Sequence, residues 1–137
     1  MAEKIREGGC LCGKIRYHTM GEPKNVPFCH CTICRRAAGS PVVPWATFRA
    51  SQVEWLAEQP ARFRSSQKAE RGFCPRCGSA LLFVLVANAN WVDLTVGTFD
   101  DPDSLTPTHH IFTATQVRWV DIRADLPSYS EGKPKAG

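Results

Sequence analysis

The chain has 137 residues, enough for one domain with a substantial hydrophobic core, and its net charge of +4 is too small and too scattered to indicate a nucleic-acid-binding protein. Residues 1–9 lack the apolar run of a signal peptide, and the longest apolar stretch, residues 80–87, is far too short to span a bilayer. We therefore expect a cytoplasmic protein that binds neither a membrane nor nucleic acid.

The predicted elements are mainly strands. Alternating or β-branched apolar stretches predict strands, in chain order, at residues 14–18, 42–48, 61–66, 81–86, 91–96, 110–114 and 117–122. Pro44 places the second of these at a sheet edge or bends it, because proline cannot donate to a ladder. The segment Asn88-Ala89-Asn90 predicts a turn that joins the fourth and fifth strands as a hairpin.

Helix signals are few. Residues 32–38, followed by Gly39, predict one or two helical turns with a glycine stop, and residues 103–105 predict a single turn. The fold class is therefore mainly β with little helix, in one domain over residues 1–129, and residues 130–137 are expected to form a disordered tail. Four tryptophans are expected in the core, namely Trp45, Trp55, Trp91 and Trp119.

The segment Cys74-Pro75-Arg76-Cys77-Gly78 has the most specific cysteine spacing. Two cysteines on a tight turn can hold one zinc ion, and Gly78 allows the left-handed conformation that closes such a turn. A redox dithiol needs its pair at the start of a helix, whereas a strand is predicted after this pair. Seven cysteines, an odd number, in a reducing compartment also argue against disulfides, so metal binding is the better interpretation.

Cys10 and Cys12 flank Leu11 near the amino terminus. Alternate residues of an extended segment project to one face, so both thiols can reach the same ion. Together with Cys74 and Cys77 they complete a four-thiolate set, which is the closed arrangement of structural zinc.

Three further cysteines lie in one loop, Cys29, Cys31 and Cys34. Three protein ligands leave one tetrahedral position free, and this is the pattern of catalytic zinc. The alternative is a closed site whose fourth ligand is His109 or His110. His30 is a poorer candidate, because in an extended segment it points away from its two cysteine neighbours. Spacing alone also permits other partitions of the seven cysteines.

These motifs, in this order, resemble those of the glutathione-dependent formaldehyde-activating enzyme family, which also includes centromere protein V. The resemblance is carried by residues 9–13 (GCLCG), 29–35 (CHCTICR), 73–79 (FCPRCGS) and 97–100 (GTFD), with support from Pro107, His110 and Trp119. It implies a β-tent fold of antiparallel sheets. It also implies two zinc ions per chain, a structural one on Cys10, Cys12, Cys74 and Cys77 and a second one on Cys29, Cys31 and Cys34.

The resemblance further implies a carbon–sulfur lyase-type enzyme. The reaction that names the family joins glutathione and formaldehyde into S-hydroxymethylglutathione. By this resemblance the second zinc binds a thiol such as glutathione, and the enzyme acts on that thiol and an aldehyde or on their S-hydroxyalkyl adduct.

Two pairs of side chains are candidates to assist the reaction. Arg35 and Arg36 either hold an acidic substrate or only offset the thiolate charge, and His30 or His110 could transfer protons. The alternative function is a non-catalytic zinc-binding module that binds a protein partner. A long basic or Pro-rich extension would favour that alternative, and this chain has almost none.

Overall fold

A computed structural model describes residues 3–134, which form ten strands, one α-helix and several short 3₁₀ turns. The elements are β1 (Ile5–Gly9), β2 (Arg16–Met20), β3 (Pro27–Cys29), α1 (Thr32–Ala38), β4 (Val43–Arg49), β5 (Val53–Trp55), β6 (Ala61–Arg64), β7 (Ala69–Phe73), β8 (Ala80–Leu85), β9 (Trp91–Thr95) and β10 (His109–Ile111). The mainly β fold class predicted from the sequence is therefore confirmed. Within residues 3–134, no helix is long and apolar enough to cross a membrane.

Two sheets of unequal size make up the fold. A three-stranded sheet has the order β1-β2-β5, and a seven-stranded sheet has the order β10-β3-β4-β9-β8-β7-β6. Paired strands run antiparallel except for β3 and β10, which run parallel. The long stretch of chain between β3 and β10 makes this one parallel pairing possible, within sheets that are otherwise antiparallel as the family resemblance implies.

The main core is built from side chains of both sheets. Tyr17 of the small sheet and Phe48 of the large sheet are completely buried in one apolar cluster. Alternation along β4 sends Phe48 to this core and Trp45 to the opposite face of the large sheet. On that opposite face Trp45 packs with Cys29 and Cys34 in a second cluster. One face of the large sheet therefore supports the fold, and the other carries the three-cysteine segment.

The predicted hairpin and helix are both confirmed. β8 and β9 pair antiparallel, with Leu82 opposite Leu94. Helix α1 covers the predicted residues and ends at Gly39, whose φ of 64° lies in the left-handed region that glycine adopts readily. At the other end the Cys31 sulfur caps the helix by accepting a hydrogen bond from the backbone N–H of Cys34.

Of the two alternatives predicted for Pro44, the sheet edge is wrong, because β4 lies inside the large sheet between β3 and β9, and the bend stays a prediction. Its pairing with β9 begins only at Trp45, and Pro44 has its partner, Phe28, on the β3 side. The missing N–H of Pro44 therefore costs no hydrogen bond to β9.

The predicted strand at residues 117–122 is absent from the described structure, where this segment forms turns and irregular backbone. Its predicted core residue Trp119 is 75% exposed, whereas Trp45 is buried and Trp55 and Trp91 are half-buried. The alternating pattern of this segment resembles a strand, but no sheet edge receives it.

The predicted disordered tail falls partly on residues 135–137, which lie outside the described residues. In the described part, the backbone carbonyls of Ser130 and Glu131 accept hydrogen bonds from Ala114 and Phe112. The start of the predicted tail is therefore attached to the turn that follows β10.

Candidate metal centres

The structure brings four cysteines together from distant parts of the chain, namely Cys10, Cys12, Cys74 and Cys77. Their sulfur atoms all lie within 4.8 Å of one another. The Cys10–Cys12 sulfur separation is 3.6 Å, and the Cys12–Cys74 separation is 3.8 Å. A tetrahedral ion with zinc–sulfur bonds of about 2.3 Å places its sulfurs about 3.8 Å apart. The donor set and its spacing therefore fit a closed four-thiolate zinc site.

Local hydrogen-bond donors contact three sulfurs of this four-cysteine set and lower the pKa of two of its thiols, Cys10 and Cys77. The backbone N–H of Ile15 donates to the Cys10 sulfur at 3.3 Å, and that of Cys77 donates to the Cys74 sulfur at 3.4 Å. Hydrogen bonding with the Ser79 hydroxyl, 3.3 Å from the sulfur, lowers the pKa of the Cys77 thiol to about 5. Because donors of this kind stabilise negative sulfur, Cys10 and Cys77 are prepared to bind a cation.

The second set consists of Cys29 at the end of β3, Cys31 at the cap of α1 and Cys34 in the first turn of α1. These three sulfurs also lie within 4.8 Å of one another. Among residues 3–134, no further Cys, His, Asp or Glu ligand atom joins them. The three-cysteine set therefore has the donors of a catalytic zinc site, in which the fourth ligand comes from outside the protein.

Arg71 is the charged side chain in contact with the three-cysteine set. It is 9% exposed, its Nη1 and Nη2 lie 3.6 Å and 3.5 Å from the Cys34 sulfur, and its Nε donates to the Ser65 hydroxyl at 3.2 Å. In the described part of the chain it forms no ion pair with a carboxylate. A buried cation needs a negative partner, so the cysteine sulfurs serve as its counter-charge.

The three thiols of this set do not ionise equally. Hydrogen bonds from Cys29 and Cys34, the Cys34 backbone N–H and the charge of Arg71 lower the pKa of Cys31. Hydrogen bonding to Cys31 and Cys34, together with burial, raises the pKa of Cys29. One thiolate therefore forms readily and opposes the next, and a divalent cation would remove that conflict.

His30 and His110 form a buried pair outside the three-cysteine set. His30 Nε2 lies 2.8 Å from His110 Nδ1, and His110 Nε2 lies 2.9 Å from the backbone carbonyl of Arg123. Because that carbonyl can only accept, His110 Nε2 donates to it, and His110 Nδ1 accepts from His30. Burial and the neighbouring His110 lower the pKa of His30, which favours this neutral arrangement.

A cleft of about 620 Å³ opens beside the three cysteines, which line it. Its other titratable lining residues are Lys68, Arg71, Asp93, His109 and Lys133. In the pairing of β10 with β3, Ile111 is opposite Cys29 and His109 is opposite Pro27. Alternation therefore places His109 on the same face of the sheet as Cys29. The cleft combines a candidate metal centre with both cationic and anionic side chains.

His109 and Asp93 have displaced pKa values. Burial lowers the pKa of His109, whose Nδ1 lies 2.9 Å from the Thr108 hydroxyl. Burial also raises the pKa of Asp93 to about 6, although the Thr47 hydroxyl donates a hydrogen bond to this carboxylate. Perturbed groups beside a cleft are typical of functional sites.

The two arginines that follow Cys34 lie on α1. Arg36 is exposed and lines a second cavity of about 500 Å³, while Arg35 is half-buried and lines neither that cavity nor the cleft. Sequence reasoning missed Arg71 and Asp93 as site residues and considered His109 only as a metal ligand. Arg71 and Asp93 lie in strands with no local motif, so only the pairing of the strands identifies them.

Comparison with known proteins identifies a family that this chain resembles. A family model described as glutathione-dependent formaldehyde-activating enzyme matches residues 5–115. A lyase of Schizosaccharomyces pombe is 30% identical over 100 residues, which cover 73% of this chain and 72% of the relative. A protein of Halomonas elongata, whose name assigns it to the glutathione-dependent formaldehyde-activating enzymes, is 30% identical over 135 residues, which cover 88% of this chain and 82% of the relative.

A solved structure shares the fold. The crystal structure of a Rhodobacter sphaeroides protein aligns with a TM-score of 0.56 at 21% identity, covering 89% of this chain and 98% of that one. Fold and site together define a mainly β protein with two cysteine clusters that could each hold a metal ion. The chain belongs to the glutathione-dependent formaldehyde-activating enzyme family.

Proposed function

We propose that the protein is a zinc-dependent enzyme of the carbon–sulfur lyase type that acts on a glutathione-like thiol and an aldehyde, or on their S-hydroxyalkyl adduct. The observation that carries this proposal is a three-cysteine set beside a cleft of about 620 Å³, with no fourth ligand among residues 3–134. The four-cysteine set supplies all its own ligands, and its Cys74 is fully buried, which supports a structural role. Membership of the family supports the same reaction class.

When bound to the three-cysteine set, zinc would favour the thiolate form of an arriving thiol. Cys29, Cys31 and Cys34 would hold the ion with a net charge of −1. A thiolate from the substrate adds a second negative charge. The Arg71 guanidinium, 3.5 Å from the Cys34 sulfur, offsets this repulsion in a buried place where screening is weak.

We assign proton transfer to His109. The reaction needs a group that takes the thiol proton and returns a proton to the former carbonyl oxygen. His109 lines the cleft on the face that carries Cys29, and burial favours its neutral form, which can accept a proton. The Thr108 hydroxyl contacts Nδ1 and leaves Nε2 for the substrate. His30 and His110, the sequence-based candidates for proton transfer, are hydrogen-bonded to each other and line no part of this cleft.

The charged residues of the cleft suit a zwitterionic thiol. Glutathione carries two carboxylates and one ammonium group. Lys68 and Lys133 provide cations for the carboxylates, and Asp93 provides an anion for the ammonium. The contacts predicted for Arg35 and Arg36 stay a prediction. Replacing both lysines with Met should weaken glutathione binding more than replacing both arginines with Met. A larger loss of affinity in the arginine variant would show that the glutathione carboxylates bind the arginines of α1.

The test of the function is NMR exchange spectroscopy on an equilibrium mixture of glutathione, formaldehyde and S-hydroxymethylglutathione. The zinc-loaded protein should speed exchange between free thiol and adduct above the rate in buffer. Cys31→Ser should abolish this gain. His109→Gln should reduce it by about 10²–10⁴-fold while both metal ions stay bound. Arg62→Met, a surface change, is the matched control.

An exchange rate equal to that in buffer, with both metals bound and with formaldehyde and hexanal each tested as the aldehyde, would contradict the proposal. The non-catalytic zinc module would then become the better interpretation.

A further inference from the structure

We propose that the second cavity holds the organic body of the carbonyl substrate, so that the preferred aldehyde is a larger apolar one and not formaldehyde. The inference rests on the proposed function, because it assigns the aldehyde half of the same reaction. Its basis is that two cavities meet at the three-cysteine set, whereas a one-carbon aldehyde needs neither.

The second cavity has a volume of about 500 Å³ and shares part of its wall with the cleft. The shared lining residues are Ile33, Cys34, Trp45, Ser65 and Arg71. Cys34 is the member of the three-cysteine set that lines both cavities, so the second cavity reaches the Cys34 side of the place where a carbon–sulfur bond would form. A substrate lying in the cleft and another lying in the cavity would therefore meet at that set.

The size of the cavity is far greater than formaldehyde requires. Formaldehyde has two heavy atoms, and a molecule of water takes up about 30 Å³ in the liquid. A cavity of about 500 Å³ holds such a molecule many times over and falls in the range of roughly 300–1,000 Å³ that organic ligands use. The cleft alone is large enough for a tripeptide-sized thiol, so the cavity is available to the other reactant.

The cavity walls are mainly apolar. Helix α1 and strands β6, β7 and β8 contribute Ala37, Ala38, Phe63, Phe73 and Leu82. Phe63 and Ile33 are 63% and 49% exposed, so an apolar ligand would cover large hydrophobic side chains that otherwise face water.

The second cavity and the cleft differ in the charged residues that line them. In the described structure the cavity is lined by two charged residues, the exposed Arg36 and Arg71, and the Arg71 nitrogens already contact Cys34 and Ser65. The cleft adds Lys68, Asp93 and Lys133. The charged thiol therefore suits the cleft, and an uncharged apolar body suits the cavity.

The reaction balances without an oxidant or reductant. The thiol loses its proton to His109, and the sulfur electron pair forms a bond to the carbonyl carbon. The π pair of the carbonyl moves to oxygen, which takes a proton back from His109. Thiol and aldehyde thus give one S-(1-hydroxyalkyl) adduct, whose alkyl chain lies in the cavity.

The first test compares propanal, butanal, pentanal and hexanal as partners of glutathione, because these aldehydes have nearly equal intrinsic reactivity. Each methylene buried in an apolar site contributes about 0.8 kcal/mol, which is about fourfold. We expect kcat/KM for adduct formation to rise by about three- to fourfold per methylene along this series. A flat or falling series would overturn the proposal.

Two substitutions test the place of binding. Ala37→Phe fills the cavity and should flatten the chain-length dependence while the rate with formaldehyde changes little. Phe63→Ala removes part of an apolar wall and should also reduce the dependence of kcat/KM on chain length, because less apolar surface then contacts the alkyl chain. Ala57→Phe, at an exposed position that lines neither space, is the matched control. Equal slopes in all four proteins would overturn the assignment.

Binding of unreactive alcohols gives a readout independent of activity. In NMR titrations of the zinc-loaded protein, 1-hexanol should shift the Ala37 and Ala38 signals saturably and bind more tightly than 1-propanol. Loss of glutathione binding in Ala37→Phe, without a change in alcohol binding, would assign the cavity to the thiol. If the protein with cobalt in place of zinc binds glutathione, as its thiolate–cobalt absorption bands would report, but adduct formation shows no chain-length effect, this inference fails and the proposed function stands. If added thiols leave the absorption spectrum of the cobalt-substituted protein unchanged, the proposed function itself fails.

Discussion

Replacing Arg71 with Met should weaken metal binding at the three-cysteine set alone. The guanidinium is buried, contacts the Cys34 sulfur through two nitrogens at 3.5–3.6 Å, and is fixed by the Ser65 hydroxyl. Loss of a partner behind a metal ligand typically lowers metal affinity by about 10–100-fold. That range corresponds to about 1.4–2.8 kcal/mol. Arg71→Lys should fall between the two proteins, because one ammonium group cannot reproduce the fork that reaches both Cys34 and Ser65.

The assay is competition with a chromogenic chelator, which removes the two metal ions in separate steps when their affinities differ. The weaker step should shift in Arg71→Met, and the step of the four-cysteine set should not. Arg62→Met serves as the control, because Arg62 lies on β6, is partly exposed and forms an ion pair with Glu70 on β7. Two steps that move together, or a weaker step that moves less than twofold, would refute the role of Arg71.

Three further predictions concern the fold and its partners. Cys77→Ser should give little soluble protein, because the binding free energy of structural zinc, roughly 10–16 kcal/mol, is as large as the free energy of unfolding of a whole domain, about 5–15 kcal/mol. Cys31→Ser should stay folded and lose one metal ion, and an equal loss of soluble protein in both variants would argue against two different sites. Asp93 has a pKa of about 6, above its unfolded value, so its ionisation destabilises the fold as pH rises from about 4 to 6. In urea unfolding, Asp93→Asn should therefore raise the free energy of unfolding by up to about 2–3 kcal/mol at pH 7.5 and by less at pH 5, and a gain that grows on acidification would contradict this sign. Fluorescence anisotropy should detect no submicromolar complex with random DNA or RNA at physiological salt.

Local patterns predicted the parts of the site that lie close together in the sequence. The segment from Cys29 to Gly39 combines extended residues, a helix start and a glycine stop, so short-range rules are enough to place its three sulfurs on one side. The hairpin of β8 and β9 is equally local, since a short turn joins two apolar strands.

Tertiary contacts explain what the sequence could not predict. Arg71 reaches Cys34 across 37 positions because β7 lies in the same large sheet as β3 and β4. His109 faces the cleft because β10 pairs in parallel with β3, a long-range pairing that alternation does not reveal. Trp119 shows the converse case, because a strand-like pattern without a sheet edge to join stays exposed.

The central claim is that the three-cysteine set takes a thiol from outside the protein as its fourth ligand. Absorption spectroscopy of the cobalt-substituted protein tests it most directly, since thiolate–cobalt charge-transfer bands report each sulfur ligand. Glutathione should change these bands saturably, S-methylglutathione should not because it cannot form a thiolate, and Cys31→Ser should abolish the response. Bands that glutathione leaves unchanged in the fully loaded protein would show that the set is closed and would contradict the proposed function.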